Sequence, residues 1–187
     1  MSALAVALLH HPMLGRSGEE LTTTITNLDL HDIARCVRAY GLQAFYVVHP
    51  YASQRMLAER IQRHWVSGAG GKRIPDRGRA LEVLRVVPDL ETACADLSDG
   101  EPASVAQWTT AASAQGREVT TFAAARAVLE GTRQPVLLCF GTGWGLAPQA
   151  LAKADLQLEP IVAKRDTGYN HLSVRAACAI TLDRLLG

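Results

Sequence analysis

Pro135-Val136-Leu137-Leu138-Cys139-Phe140-Gly141-Thr142-Gly143-Trp144-Gly145-Leu146 organises the chain around it. Its apolar half, Pro135 to Phe140, reads as a buried strand. Three glycines at alternate positions then let main-chain N–H and C=O groups approach a bound molecule where side chains would block them. A tight strand-to-helix turn uses the same residues, so the run alone leaves both readings open. Its neighbours narrow the choice. A short helix (Pro148 to Lys153), a last strand (Leu156 to Ile161) and the loop Tyr169-Asn170-His171-Leu172-Ser173-Val174-Arg175 lead into a helix from Ser173 to Leu186.

Upstream, short apolar runs alternate with helical patterns. Leu4 to Leu9, Ala44 to Val48, Leu81 to Val87 and Ala103 to Trp108 read as strands. Leu30 to Tyr40, Ser53 to Trp65, Leu90 to Leu97 and Thr121 to Glu130 read as helices, with Thr120 or Thr121 as the N-cap of the last and Val66 to Pro75 as a loop. This rhythm predicts one α/β domain, residues 1–187, with a mainly parallel sheet. Ligands of open α/β sheets bind beyond the C-terminal strand ends, so the loops after Trp108, Phe140 and Ile161 are expected to form one pocket.

Composition bounds the function. Of 187 residues 48% are hydrophobic, yet no apolar run reaches the roughly 18 residues that span a bilayer. Met1 to Leu9 lacks the basic start and small-residue cleavage site of a secretory leader, so it reads as strand one and the expected location is cytoplasmic. Cys36, Cys94, Cys139 and Cys178 form no CxxC pair and read as buried thiols rather than metal ligands. The net charge of +1 is unevenly spread: Arg55, Arg60, Arg63, Lys72, Arg73, Arg77 and Arg79 face only Glu59 and Asp76 within one segment, a candidate phosphate-facing surface. A solvated helix face with a basic loop would look the same.

A dinucleotide site needs strand, Gly-x-Gly, helix and an acid about 20 residues on, and Glu159 supplies that acid. Against it, the third glycine comes one residue early, and too few residues follow Gly145 for a βαβαβ half. The order of glycine loop, one more strand, and an Asn/Ser loop into a terminal helix resembles the SPOUT superfamily of methyltransferases. At the other end of the chain, Asp29-Leu30-His31-Asp32-Ile33-Ala34-Arg35-Cys36-Val37-Arg38-Ala39-Tyr40-Gly41 resembles the first motif of its ribose methylases. Ile33, Ala34, Arg35 and Gly41 match that motif, and Asp29 stands where it has Asn. Together with Thr26-Asn27-Leu28 and the two C-terminal loops, the chain resembles a small bacterial SPOUT family, in some bacteria fused to a tRNA guanine-N1 methyltransferase domain.

The resemblance implies an α/β fold with a mainly parallel sheet, helices on both faces and a C-terminal trefoil knot across about residues 103–187. It implies S-adenosylmethionine as cofactor, RNA (tRNA first) as substrate, no membrane, and a homodimer packed through the knot. Adenine needs hydrogen bonds at its edge and packing on its faces, which suits the backbone of Phe140, Gly141, Thr142, Gly143, Trp144 and Gly145 and of the segment from Leu158 to Ile161. Thr109 and Thr110 end the preceding strand. Trp144 or Tyr169 is placed to attract the cofactor's sulfonium by about 0.5–2 kcal/mol if its ring faces the sulfur; packing beneath the loop is the alternative for Trp144. Asn170 and Ser173 fix the loop or the methionine moiety, with Ser173 also capping the terminal helix. His171 and Leu172 complete this wall, His171 as a hydrogen-bonder rather than a proton shuttle.

Two residues are assigned to chemistry. The arginine matching Arg35 sits at the transfer site of ribose-methylating SPOUT enzymes, and a guanidinium is a poor base but a good forked clamp for phosphate; Arg38, one turn on, offers the same group. Base methylation would instead require a carboxylate to take a ring-nitrogen proton, and Asp166 is available. Ribose 2′-O methylation is thus favoured over guanine N1. The loop His11 to Ser17, with Arg16, joins the basic segment as an expected RNA track. The alternative to an enzyme is a module that keeps the cofactor pocket and binds RNA or a second copy without turnover, an option that Asp29 in place of Asn keeps open.

Overall fold

The computed structural model describes residues 3–114 and 116–187; Met1 and Ser2, the start of the stretch read as strand one, lie outside the described residues. The first half contains β1 (Leu4–Leu9), the short hairpin β2 (Met13–Leu14) and β3 (Glu20–Leu21), α1 (Asn27–Ala39), β4 (Ala44–Val48), α2 (Ala52–Val66), α3 (Ala69–Arg73), α4 (Pro75–Leu81), β5 (Leu84–Val87) and α5 (Leu90–Leu97). A 3₁₀ turn at Pro102–Ser104 leads to β6 (Ala106–Thr109), α6 (Phe122–Gly131), β7 (Val136–Gly141), α7 (Pro148–Leu151), β8 (Leu156–Gln157) and α8 (Val174–Leu186).

Six strands form one parallel sheet in the order β5-β4-β1-β7-β6-β8. Strands covered on both faces should be apolar throughout, and β1, β4 and β7 are. Side chains alternate between faces, so Val6, Leu8, Phe45, Leu138 and Phe140 meet α1, α2, α6 and α8 on one side, while Ala5, Ala7, Tyr46, Leu137 and Cys139 meet α5 and the segment around Leu146 and Leu151 on the other. Helices therefore cover both faces. Leu138 sits centrally, level with Val6 of β1 and Trp108 of β6, and is fully buried. Leu138→Ala is expected to lower the unfolding free energy by about 2–5 kcal/mol in urea titrations, and a loss below about 1 kcal/mol would contradict this packing.

Four local expectations are corrected. The segment 66–75 is not a loop: it holds α3, and α4 follows, beginning with Pro75 at the position where its missing N–H costs nothing. Leu81 closes α4 rather than opening a strand, because Ala80 and Leu81 are buried while Arg77 lies 4.9 Å over the Trp65 ring. The last strand stops at Gln157 instead of Ile161. Leu158 N–H still donates to Thr109 O at 2.9 Å, but Pro160 has no N–H with which to extend the ladder. The fourth correction concerns His11 to Ser17, which enters the β2–β3 hairpin rather than forming an open loop.

The strand order reverses between β1 and β7. β1 leads outward through β4 to β5, whereas β7 leads the other way through β6 to β8. Beyond edge strand β8 the chain runs past the loop after β6, where Asn170 Nδ2 donates to Ala112 O at 3.1 Å, and α8 packs back on α1, α6 and β7.

Candidate active site

Leu9 and Gly141 are level at the C-terminal ends of β1 and β7, and a cavity of about 740 Å³ opens there. This is the switch-point crevice where open α/β sheets take ligands, and its volume is in the range of small-molecule sites. The glycine loop forms one wall. Its shape comes from outside the loop: Leu14 N–H donates to Gly145 O (2.9 Å), Trp144 N–H to Leu14 O (3.3 Å), and the Thr142 hydroxyl to Leu9 O (3.3 Å). The β2–β3 hairpin is thus the clamp for the loop, a role with no signal in the sequence. Gly145 has φ +102°, which strains any residue with a Cβ. At Gly141 a Cβ would lie 2.9 Å from the backbone N of Leu146.

Thr23 and Thr142 face each other across the cavity floor, joined through their hydroxyls. His49 holds Thr23 from behind. Its Nδ1 accepts from Tyr51 N–H (3.1 Å), which leaves the hydrogen on Nε2 to donate to Thr23 O at 2.9 Å. His10, at the end of β1, lies 5.3 Å from His49 ring to ring and is fully buried; burial first, then His49, lowers its pKa from 6.5 to about 4.

The third wall joins the ends of α1 and α8. Thr26 caps α1: its hydroxyl accepts from Asp29 N–H (3.2 Å) and donates to Asp29 Oδ2 (2.6 Å). Ser173 caps α8 through Ala176 N–H. Arg175, in the first turn of α8, reaches Asp29 Oδ1 with Nη1 (3.2 Å) and Asp32 Oδ2 with Nε (3.4 Å). Glu159 accepts from Phe122 N–H at 2.8 Å and so holds the start of α6 at the far side.

Most of the residues expected to hold a cofactor come together here. Thr110, Phe140, Gly141, Thr142, Gly143 and Trp144 line the cavity, as do Gly145, Ile161, Asn170, His171, Leu172 and Ser173. Thr109 and Leu158 lie just behind it, buried in the sheet edge. Trp144 does not pack beneath its loop: it is 58% exposed, its ring edge-on to His171 at 6.1 Å, and Tyr169, 71% exposed and outside the lining, also meets His171 edge-on at 5.3 Å. Arg35 is exposed on α1, and Asp166 is exposed with Oδ1 accepting from Gly168 N–H (3.0 Å); neither lines the cavity. Thr23, Asp29, Glu159 and Arg175 line it without having been assigned to it from sequence. Arg175 had a readable signal, since a cation in the first turn of a helix opposes the macrodipole. In the basic segment, Arg55 is tied to the carbonyls of His49 and Pro50, Arg63 to Glu59 and Arg79 to Asp76, while Arg60, Lys72 and Arg73 are exposed.

A parallel sheet with a glycine-walled crevice at its switch point, closed by a terminal helix that returns past the neighbouring loop, is consistent with the fold of the α/β trefoil-knot methyltransferases, SPOUT. The fold is similar to that of TrmJ from Z. mobilis ZM4, with a TM-score of 0.63 over 99% of this chain and 68% of that one at 17% identity. Residues 3–187 match the family described as SAM-dependent RNA methyltransferase, and the chain belongs to that family. It is 44% identical over 184 residues to a tRNA (guanine-N(1)-)-methyltransferase of Nitratidesulfovibrio vulgaris, covering 98% of this chain and 42% of that protein. An uncharacterized protein of Aquifex aeolicus is 35% identical over 96% of this chain and 86% of its own length. The chain thus spans about two fifths of the guanine-N1 methyltransferase it matches.

The family's cofactor is S-adenosylmethionine, and the site fits it. The cavity is large enough, the glycine loop from Gly141 to Gly145 forms one wall of it, and the lining combines apolar with polar groups. No helix among the described residues is long and apolar enough to cross a membrane, and Cys94, Cys139 and Cys178 are buried free thiols.

Proposed function

We propose that this protein methylates tRNA at a ribose 2′-oxygen, in preference to guanine N1, acting in the cytoplasm as a homodimer packed through the knotted region at about residues 103–187. The observation that carries the ribose reading is the state of the carboxylates in the cavity. Removing a ring-nitrogen proton calls for a carboxylate within hydrogen-bond reach. Asp29 is engaged by Thr26 and Arg175, Glu159 by the start of α6, and Asp166 stands outside. The name of the guanine-N1 relative belongs to a protein of which more than half lies beyond the match, so its base specificity need not reside in the shared segment. That same name supports tRNA as the substrate.

In this reading the backbone of Phe140 to Gly145 and of Leu158 to Ile161 holds the adenine, with Thr109 and Thr110 beneath it. Trp144, Tyr169 and His171 form an aromatic rim near the sulfonium, and Asn170, Leu172 and Ser173 hold the methionine end. Bound S-adenosylmethionine supplies the electrophilic methyl group. Arg35, on the open face of α1, contacts RNA phosphate beside the cavity together with Arg60, Lys72 and Arg73. Incubation with methyl-labelled cofactor and bulk tRNA, followed by digestion to nucleosides, is expected to place the label in a 2′-O-methylnucleoside. Label in 1-methylguanosine would overturn the ribose preference, and no label despite intact cofactor binding would overturn turnover in favour of a binding module. Sedimentation is expected to return twice the chain mass.

A further inference from the structure

Arg175 is held in an arrangement that its own helix does not favour. It stands on the first turn of α8, where the helix dipole repels a cation. What keeps it there is α1, 146 residues away in sequence: Asp29, 6% exposed, takes Nη1, and Asp32 takes Nε. Asp29 is also the residue that departs from the ribose-methylase motif, which has Asn at this point. An asparagine would satisfy Thr26 equally well; only a carboxylate adds a charge for Arg175. Asp29 and Arg175 thus form an ion pair, and both line the cavity. A guanidinium has five N–H donors, so one fixed through two contacts retains donors for another anion, and the Arg175 side chain is 35% exposed.

Resting on the RNA methyltransferase reading above, we infer that Arg175, aimed by Asp29 and Asp32, is the guanidinium that grips the anionic oxygens of the target nucleotide at the transfer site, a part the first motif alone would give to Arg35. The same fork would fit the cofactor's carboxylate, and the test separates the two. Wild-type protein, Arg175→Gln, Arg175→Lys and Asp29→Asn are compared for single-turnover methyl transfer to bulk tRNA, tRNA affinity across a salt series, S-adenosylmethionine affinity by calorimetry, and Tm.

For Arg175→Gln the transfer rate is expected to fall on the order of 100-fold. Its salt slope for tRNA binding should drop by about one, with cofactor affinity unchanged within about threefold. Arg175→Lys should restore the salt slope but not the rate, because a point charge cannot fork. Asp29→Asn, which keeps the Thr26 hydrogen bonds, should lower the rate about tenfold at unchanged cofactor affinity. A wild-type rate in Arg175→Gln, or in Asp29→Asn should the first variant not fold, would overturn the inference. So would a cofactor affinity that falls in step with the rate, which places the guanidinium on the cofactor's carboxylate. If Arg175 served only to tie α8 to α1, Tm would move and the salt slope would not. Wild-type protein that labels no RNA would instead remove the activity proposed above, while the salt slope would still report whether Arg175 meets RNA.

Discussion

Gly141→Val is expected to abolish measurable S-adenosylmethionine binding in calorimetry, a loss of at least about 100-fold in affinity, or about 2.7 kcal/mol. The first atom in the way is the backbone N of Leu146, 2.9 Å from where a Cβ would stand, with Leu146 Cγ equally close. Backbone cannot step aside as a side-chain tip does. Leu146 is itself pinned: it forms a bridge with Met13 of the hairpin, and Ala147 N–H donates to Pro12 O at 3.1 Å. The added bulk must therefore push the loop into the cavity or pull it off the hairpin, and either change removes the wall. Retention of affinity within threefold would show that the loop does not bound the cofactor site.

The second large effect is on stability in mild acid. His10 has a folded pKa of about 4 against 6.5 in the unfolded chain, chiefly because burial disfavours its charged form. Between those values the unfolded chain binds a proton that the folded one refuses, so stability is full above pH 6.5 and is lost as pH falls toward 4. The difference corresponds to on the order of 3 kcal/mol. His31 and His49, also lowered by burial, act in the same direction. Urea titrations at pH 7.5 and 4.5 should show the loss, and His10→Phe, which cannot take up the proton, should flatten the slope by about one proton. An unchanged slope in that variant would exclude His10 as its source. Because His49 holds Thr23 on the cavity floor, and burial lowers its pKa, cofactor affinity is expected to weaken once acid protonates it.

Much of the fold was legible because its signals are local. Strands buried on both faces are uninterrupted apolar runs, and β1, β4 and β7 lie within a residue of where composition puts them. Caps were legible too: Thr121 and Ser173 each accept from the amide three residues on. The glycine loop and the Asn/Ser loop were read as walls of one pocket, and they line one cavity. Where the reading failed, the deciding contact was distant. Between 66 and 75, glycine and basic residues resemble a loop, and Leu81 the start of a strand, until Trp65, Arg77 and Leu81 pack two short helices against α2. At β8, Pro160 stops the ladder before the apolar pattern ends.

By itself the sequence determined the alternation of buried strands and amphipathic helices, the glycine loop and the motif that begins at Asp29. These depend on the side-chain period and on backbone freedom, both of which act over a few residues. Tertiary structure alone decided that the hairpin at Met13 would clamp the glycine loop, that Arg35 would face outward, and that Asp29 and Arg175 would meet. Those outcomes depend on the strand order reversing between β1 and β7 and on α8 returning against α1, contacts between residues more than a hundred positions apart whose charges and hydrogen bonds have no local period to betray them.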